Sequence, residues 1–352
     1  MVSQTDAKGQ VTTYAYDALN RPVLITFHDG VKHALSYDQG ANGIGRLTAI
    51  TETSAANAVT SQIAYAYDVR GRVTSETRTL AGVPYVTGYA YDSAGRMSGV
   101  TYPGGRTVSY GFDALGRVNQ VSTSKDSVTQ VVVQNVQYHP FGGVKSWTMG
   151  NGQIYARSID LYGRIGAYSL GSASHVVGFD AASRITGIAQ AGNPANANTY
   201  GYDALDRLTS AVLPNNSHGY GYDAVGNRLT KTTGTNTDTY AYGATSNRLA
   251  TITPASGPVR SVVMDANGST TNDAVNQFGY DARGRMIQAT TAQGATGYQV
   301  NALGQRVRKT DSANDVLYHY DTGGRLIAET SSTGEVQQEY LYLGDVPVAV
   351  VR

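Results

Sequence analysis

Cysteine is absent from the 352 residues, which removes disulfide frameworks, thiolate catalysis and cysteine-ligated zinc together. Glutamate and lysine, the residues of exposed helix faces, are scarce: 5 Glu stand against 21 Asp, and 6 Lys against 21 Arg. That imbalance excludes a mainly helical protein. Charged residues make up only 15% of the chain and the net charge is +1. A highly charged disordered chain is therefore excluded, and no electrostatic footprint for nucleic acid or anionic lipid is present. Long apolar runs are missing too. Val346 to Val351 is about a third of what a helix needs to cross a bilayer, and Pro347 interrupts it. The start, Met1 to Asp6, has neither a basic region nor an apolar one, so no cleaved leader is expected, and export by another route stays open.

What is abundant points to strands and tight turns. Gly occurs 41 times and Tyr 26 times, against 5 Phe and 1 Trp. Tyr, Thr and Val suit strands, while Gly and Asp suit turns. The expected fold class is all-β, and a repeat fixes its form. Tyr-Asp-x-x-Gly-Arg reads as Tyr67-Asp68 with Gly71-Arg72, Tyr91-Asp92 with Gly95-Arg96, and Asp113 (after Phe112) with Gly116-Arg117. It returns as Tyr280-Asp281 with Gly284-Arg285 and as Tyr320-Asp321 with Gly324-Arg325. Tyr222-Asp223 with Gly226 and Arg228 carries one extra residue. Weaker copies are Tyr16-Asp17 with Arg21, Tyr37-Asp38 with Arg46, Asp160 with Arg164, Asp180 with Arg184, and Tyr202-Asp203 with Arg207. Degenerate copies at Tyr138, Tyr242, Met264, Val300 and Tyr342 bring the total to 16, at a mean period of about 22 residues.

Each copy reads as a hairpin. Alternation such as Tyr65-Ala66-Tyr67 puts two tyrosines on one strand face. Asp-x-x-Gly is the signature of a type I turn closed by a left-handed residue and a bulge. Between copies lie second turns, among them Asp6 to Gly9, Tyr102 to Gly105, Leu213 to Asn216 and Ser332 to Gly334. Two strands per period give about 32 strands in one antiparallel meander, roughly 150 Å wide at normal strand spacing. A sheet that wide is expected to curl into a shell-like wall, or else to associate through its edges. Residues 1–352 then form one repeat region of about 16 hairpins, with no separate catalytic domain.

Side chains that could carry chemistry recur with the turns instead of converging. The Asp and Arg positions are expected to cap turns and pair with one another, not to act as a lone acid–base pair. The tyrosine stripe is expected to pack a half-wet face, with an aromatic platform for sugar or peptide as the other reading. The six His show no His-Glu-x-x-His, and Asp-x-Asp-x-Asp calcium loops are missing. The glycines from Gly40 to Gly45 enlarge the turn after Asp38 and precede no helix, so they do not cradle phosphate. Trp147 follows the degenerate stretch His139 to Gly143 and is expected to pack on a neighbouring strand. No cofactor, no metal and no enzymatic activity are expected.

On these motifs, and on the segments Tyr102 to Arg117 and Thr5 to Asp17, the chain resembles the YD-repeat, or Rhs-repeat, family. The resemblance implies a bacterial polymorphic-toxin shell, as in Rhs effectors and the C subunit of Tc toxins, with a related shell in teneurins. In that family the repeats wind a long sheet into a cocoon around a C-terminal toxin domain. The implied partners are the remainder of such a shell and the enclosed polypeptide, with self-association through sheet edges as a further one. The implied location is the bacterial cytoplasm before export by a specialised secretion system, then outside or on the cell surface. The alternative is a carbohydrate- or cell-surface-binding repeat module. Family shells end in a self-cleaving core built around Asp-Pro. No Asp-Pro dipeptide occurs here, so the chain is expected to be a piece of repeat wall or a repeat-only relative.

Overall fold

The computed structural model describes residues 2–140 and 142–352. Phe141, in the degenerate stretch after Tyr138, lies outside them. Among the described residues there are 34 strands and no helix. Strands pair antiparallel with their neighbours in the chain, as in Val59–Tyr67 with Val73–Leu80 and that strand with Val83–Tyr91. The first 24 strands form one sheet and the last 10 another, where the sequence pattern leads to a single meander of about 32 strands. The break falls after Arg260–Ser261. The turn before it carries Pro254 and Pro258, which lack the N–H that a ladder needs, and the strands from Arg260 to Asn272 shrink to two or three residues.

The hairpin geometry follows from the turn chemistry. At Tyr67–Val73 the Asp68 N–H donates to Arg72 O and the Gly71 N–H to Asp68 O, both at 2.9 Å. Gly71 sits at φ 78°, a conformation that costs other residues roughly 1 kcal/mol or more. The register shifts between Ala66 and Tyr67, the bulge such a turn produces. In three weaker copies the left-handed position is held by Asn20, Ser183 and Asp206, at φ 59°, 66° and 62°. The enlarged turn spans Asp38 to Arg46, and the Gly45 N–H donates to Asp38 Oδ1 at 2.6 Å. The last strand, Val346–Val351, lies at the end of its sheet and carries Pro347 and a register shift. Both features blunt an open strand edge.

The chain divides into two compact units: Met1–Val132 with Met264–Thr271 and Asn276–Arg352, and Val133–Val263 with Asn272–Val275. In the first unit two sheets pack face to face. Leu80 and Tyr85 from one layer meet Val307 and Leu317 from the other, with Tyr320 against them. Complete burial of such side chains contributes about 1.5–3 kcal/mol each. In the second unit the only buried residues among those described are Val133, Val136, Trp147 and Ala211. The sheet there lacks a continuous core and relies on contacts along its faces. Trp147 stacks on its cross-strand neighbour Tyr155 with ring centres 4.0 Å apart, and Tyr168 stacks on His175 at 5.1 Å.

Candidate functional site

The residues picked out by the repeat meet in two places, within a turn and between one turn and the next. Within the turn, the aspartate uses both oxygens. Asp68 Oδ1 accepts the backbone N–H groups of Arg70 and Arg72 at 2.9 and 3.0 Å, while Oδ2 accepts Arg72 Nε at 2.7 Å. The same three bonds recur at Asp17 with Arg21, Asp113 with Arg117, Asp203 with Arg207, Asp281 with Arg285 and Asp321 with Arg325. Asp92 accepts the Arg96 N–H at 2.9 Å and Nε at 2.7 Å. The backbone N–H of the arginine, and with it the guanidinium, holds Asp17, Asp68, Asp113 and Asp203 below the usual carboxylate range against the opposing effect of burial. Gly95, Gly116, Gly226, Gly284 and Gly324 occupy the left-handed position of their turns.

One copy departs from this pattern. At Asp223 the extra residue puts Asn227 where the arginine stands elsewhere, and Asn227 Nδ2 donates to Asp223 Oδ2 at 2.9 Å. Arg228 lies instead over the Tyr240 ring, 4.5 Å from its centre. The degenerate copy at Asn301 keeps the geometry without charge. Asn301 Oδ1 accepts the N–H groups of Leu303 and Gln305, each at 3.0 Å, and its Nδ2 donates to Gln305 Oε1 at 3.1 Å.

Between turns, the tyrosine before each aspartate reaches back one copy. The Tyr91 hydroxyl donates to Val73 O at 2.9 Å, and Val73 follows the arginine of the preceding copy. Tyr67, Tyr202, Tyr222, Tyr280 and Tyr320 donate likewise to Leu47, Ile185, Leu208, Thr270 and Arg306 carbonyls. The preceding arginine lies over the same ring: Arg72 over Tyr91 at 4.2 Å, Arg184 over Tyr202 at 5.0 Å, Arg207 over Tyr222 at 4.8 Å and Arg325 over Tyr342 at 5.4 Å. Phe112 and Phe179 keep the stacking, under Arg96 and Arg164, without a hydroxyl to donate. Some arginines also touch the next turn, as Arg285 Nη1 does with Asn301 O at 2.7 Å and Arg207 Nη1 with Asp223 O at 2.8 Å. Tyr16, in the first copy, is 41% exposed. At Arg72, Arg184, Arg207 and Arg325 one arginine thus closes its own turn and carries the ring of the following one.

A second cluster, in the first unit, lies between the two sheets. Glu52, Glu76 and Glu339 are 5%, 1% and 1% exposed, although they belong to a residue type that is almost never buried unless paired. Glu76 pairs with Arg78, whose Nη1 donates to Gln305 Oε1 of the opposite sheet at 2.7 Å. Glu339 pairs with Arg106 across the layer. His33 Nε2 lies 2.8 Å from Glu52 Oε2 and 2.9 Å from Arg283 Nη1. The Tyr89 hydroxyl accepts the Thr322 N–H at 2.9 Å, and the Tyr102 hydroxyl donates to Tyr340 O at 2.7 Å. His319 is buried against the Tyr85 ring at 4.4 Å, with Nε2 2.9 Å from Thr330 Oγ1. Burial, and next the Arg78 charge, push its imidazole down to about 4. Burial holds Glu76 above the usual carboxylate range despite Arg78. At Glu52 the His33 hydrogen bond and the nearby charges of His33, Arg283 and Arg285 outweigh burial, the largest single effect, and keep the carboxyl low. These groups bolt one sheet to the other.

Comparison with known proteins follows the same geometry. The family model for the teneurin YD-shell matches residues 215–345, and the RHS repeat model matches residues 1–31, 85–107 and 91–128. The chain is a YD-repeat protein. No curated protein matches the sequence. Among solved structures, the Photorhabdus luminescens Tc holotoxin pore carrying a TccC3 substitution is similar at a TM-score of 0.66 and 15% identity, over 99% of this chain and 24% of that one. The crystal structure of TcdB2-TccC3 without its hypervariable C-terminal region gives the same figures. TcdB2-TccC3-TEV gives a TM-score of 0.65 at 16% identity, over 94% of this chain and 24% of that one. The YD-repeat chain therefore shares their fold and spans about a quarter of their length.

Proposed function

We propose that this YD-repeat chain is a wall segment of an Rhs-type shell, a structural element that shields a polypeptide and performs no catalysis of its own. The observation that carries this reading is the coupling of consecutive turns. Side chains that would be chemically active elsewhere are engaged in holding one hairpin to the next. The Tc toxin fold likeness over nearly the whole chain supports it. On this reading residues 1–352 are one repeat region, and the turn residues from Tyr16-Asp17 to Gly324-Arg325 are structural. The partners are the rest of such a shell and an enclosed chain, and the setting is a bacterial protein exported by a specialised secretion system.

A protease-labile, unfolded reporter fused after Arg352 tests shielding. It should be cut at least tenfold more slowly than the free reporter, and equal rates would overturn the proposal. Titration against a glycan panel separates the alternative module. One sugar filling several equivalent sites at the repeat spacing would favour that module over a wall.

A further inference from the structure

In the first unit, a polar cleft of about 440 Å³ opens where the N-terminal strands meet the turn of Asp265–Gly268 and the turn of Asp281–Gly284. Its size is within the range of small-molecule sites. Its lining combines two half-buried aromatic rings, Tyr14 and Phe27, with Gln4, Asp6, Gln10 and Asn267.

Several polar groups of this lining are already paired. Asn267 Nδ2 donates to Asp6 Oδ2 at 2.7 Å, and the Tyr14 hydroxyl to Gln4 Oε1 at 3.3 Å. Arg283 binds Asp281, His33 and Glu52, and its guanidinium lies over the Phe27 ring, 4.7 Å from its centre. Acceptors remain. Gln10 Oε1 is buried and has no partner among the described residues. Asp6 is held ionised by the Asn267 side chain first, and then by the backbone N–H groups of Gln10 and Lys8. A buried acceptor without a donor is destabilising, and a ligand that supplies the donor relieves it.

We propose that this cleft binds a neutral or amino sugar, with a hydroxyl donating to Gln10 Oε1 and the ring lying against Tyr14 and Phe27. Many hydroxyl donors and one apolar ring face match acceptors set beside aromatic edges. The Asp6 carboxylate disfavours anionic sugars, because the neighbouring cations, Lys8 and Arg283, are paired with Asp265 and with Asp281 and Glu52. This site is single and does not depend on the shell reading, so either can fail alone.

The test is titration calorimetry of the full chain with N-acetylglucosamine, glucosamine, glucose and glucuronic acid, with saturation-transfer NMR for weak binding. The expected result is one saturable site per chain for at least one of the first three sugars, and none for glucuronic acid. Gln10→Leu and Tyr14→Ala should each weaken binding about tenfold with an unchanged far-ultraviolet spectrum. Gln10→Glu should shift preference toward glucosamine. The proposal is overturned if none of the first three sugars binds saturably, if glucuronic acid binds best, or if binding survives both Gln10→Leu and Tyr14→Ala unchanged.

Discussion

Asp321 offers the sharpest trial of the clamp, because this copy is buried. The residue is 3% exposed, and its carboxylate accepts two backbone N–H groups, from Gly323 and Arg325, each at 2.9 Å, and the Arg325 guanidinium at 2.7 Å. Asp321→Ala removes two hydrogen bonds worth about 1 kcal/mol each and a charge-assisted one worth roughly 1.5–3 kcal/mol. It also leaves a half-buried guanidinium without its anion. The expected loss is therefore about 3–5 kcal/mol, the range for breaking a buried pair. The neutral copy shows how to restore it. Asn301 and Gln305 build the same turn without charge, so Asp321→Asn with Arg325→Gln should recover at least half of the loss, minus the stacking of Arg325 on Tyr342. Local stability is read by hydrogen exchange of peptides covering residues 315–331, because repeat arrays need not unfold in a single step. Two results would refute the reasoning: a loss below about 1 kcal/mol for Asp321→Ala, or a double variant no more stable than Asp321→Asn alone.

Other perturbations test the remaining links. Acid should loosen the first unit. His319 is held at about 4, below its ordinary 6.5, so its contribution is complete above about pH 6.5 and is lost as pH falls through about 4. The loss is about 3 kcal/mol, and the pH dependence of urea unfolding should flatten in His319→Gln; parallel profiles would count against it. Gly71→Ala places a Cβ at φ 78°, 1.9 Å from Arg46 Nη2, and should cost about 1–2 kcal/mol, visible as a lower Tm. Tyr91→Phe removes the bond to Val73 O while Arg72 keeps a ring to stack on, so the loss should stay near 1 kcal/mol; Tyr91→Ala should exceed it in the same melt. Leu317→Ala opens a cavity in the inter-sheet core, where Leu317 is 1% exposed, and should cost about 2–5 kcal/mol by denaturant titration.

Much of this is legible in the sequence. Turn positions and strand alternation follow from Asp, Gly and Tyr because those residues act over three or four positions, the range a sequence displays directly. The tyrosine's true partner was hidden. Tyr91 bonds the Val73 carbonyl, and a backbone atom leaves no residue type to recognise. Arg228 misled, because it is the arginine that follows the turn in this copy, while Asn227, the extra residue before it, fills the clamp. The inter-sheet charges were also missed. Scarcity of glutamate speaks against helices but says nothing of where the few sit, and Glu52, Glu76 and Glu339 are buried. Glu76-Thr77-Arg78 carried the available signal: an acid and a base on one strand face, in a run whose alternate positions point inward. The break after Ser261 arises from short strands beside prolines, which a mean period averages away.

The ring-over-guanidinium link joins each copy only to its immediate neighbour, and this fixes how such a wall can change size. Removing one strand would reverse the direction of everything downstream and aim the following tyrosine at the wrong rim. Removing a strand pair with its turn leaves an arginine facing an equivalent ring, as Arg72 and Arg207 face Tyr91 and Tyr222. Length in this architecture is quantised in whole hairpins, and viable insertions and deletions come in multiples of one period.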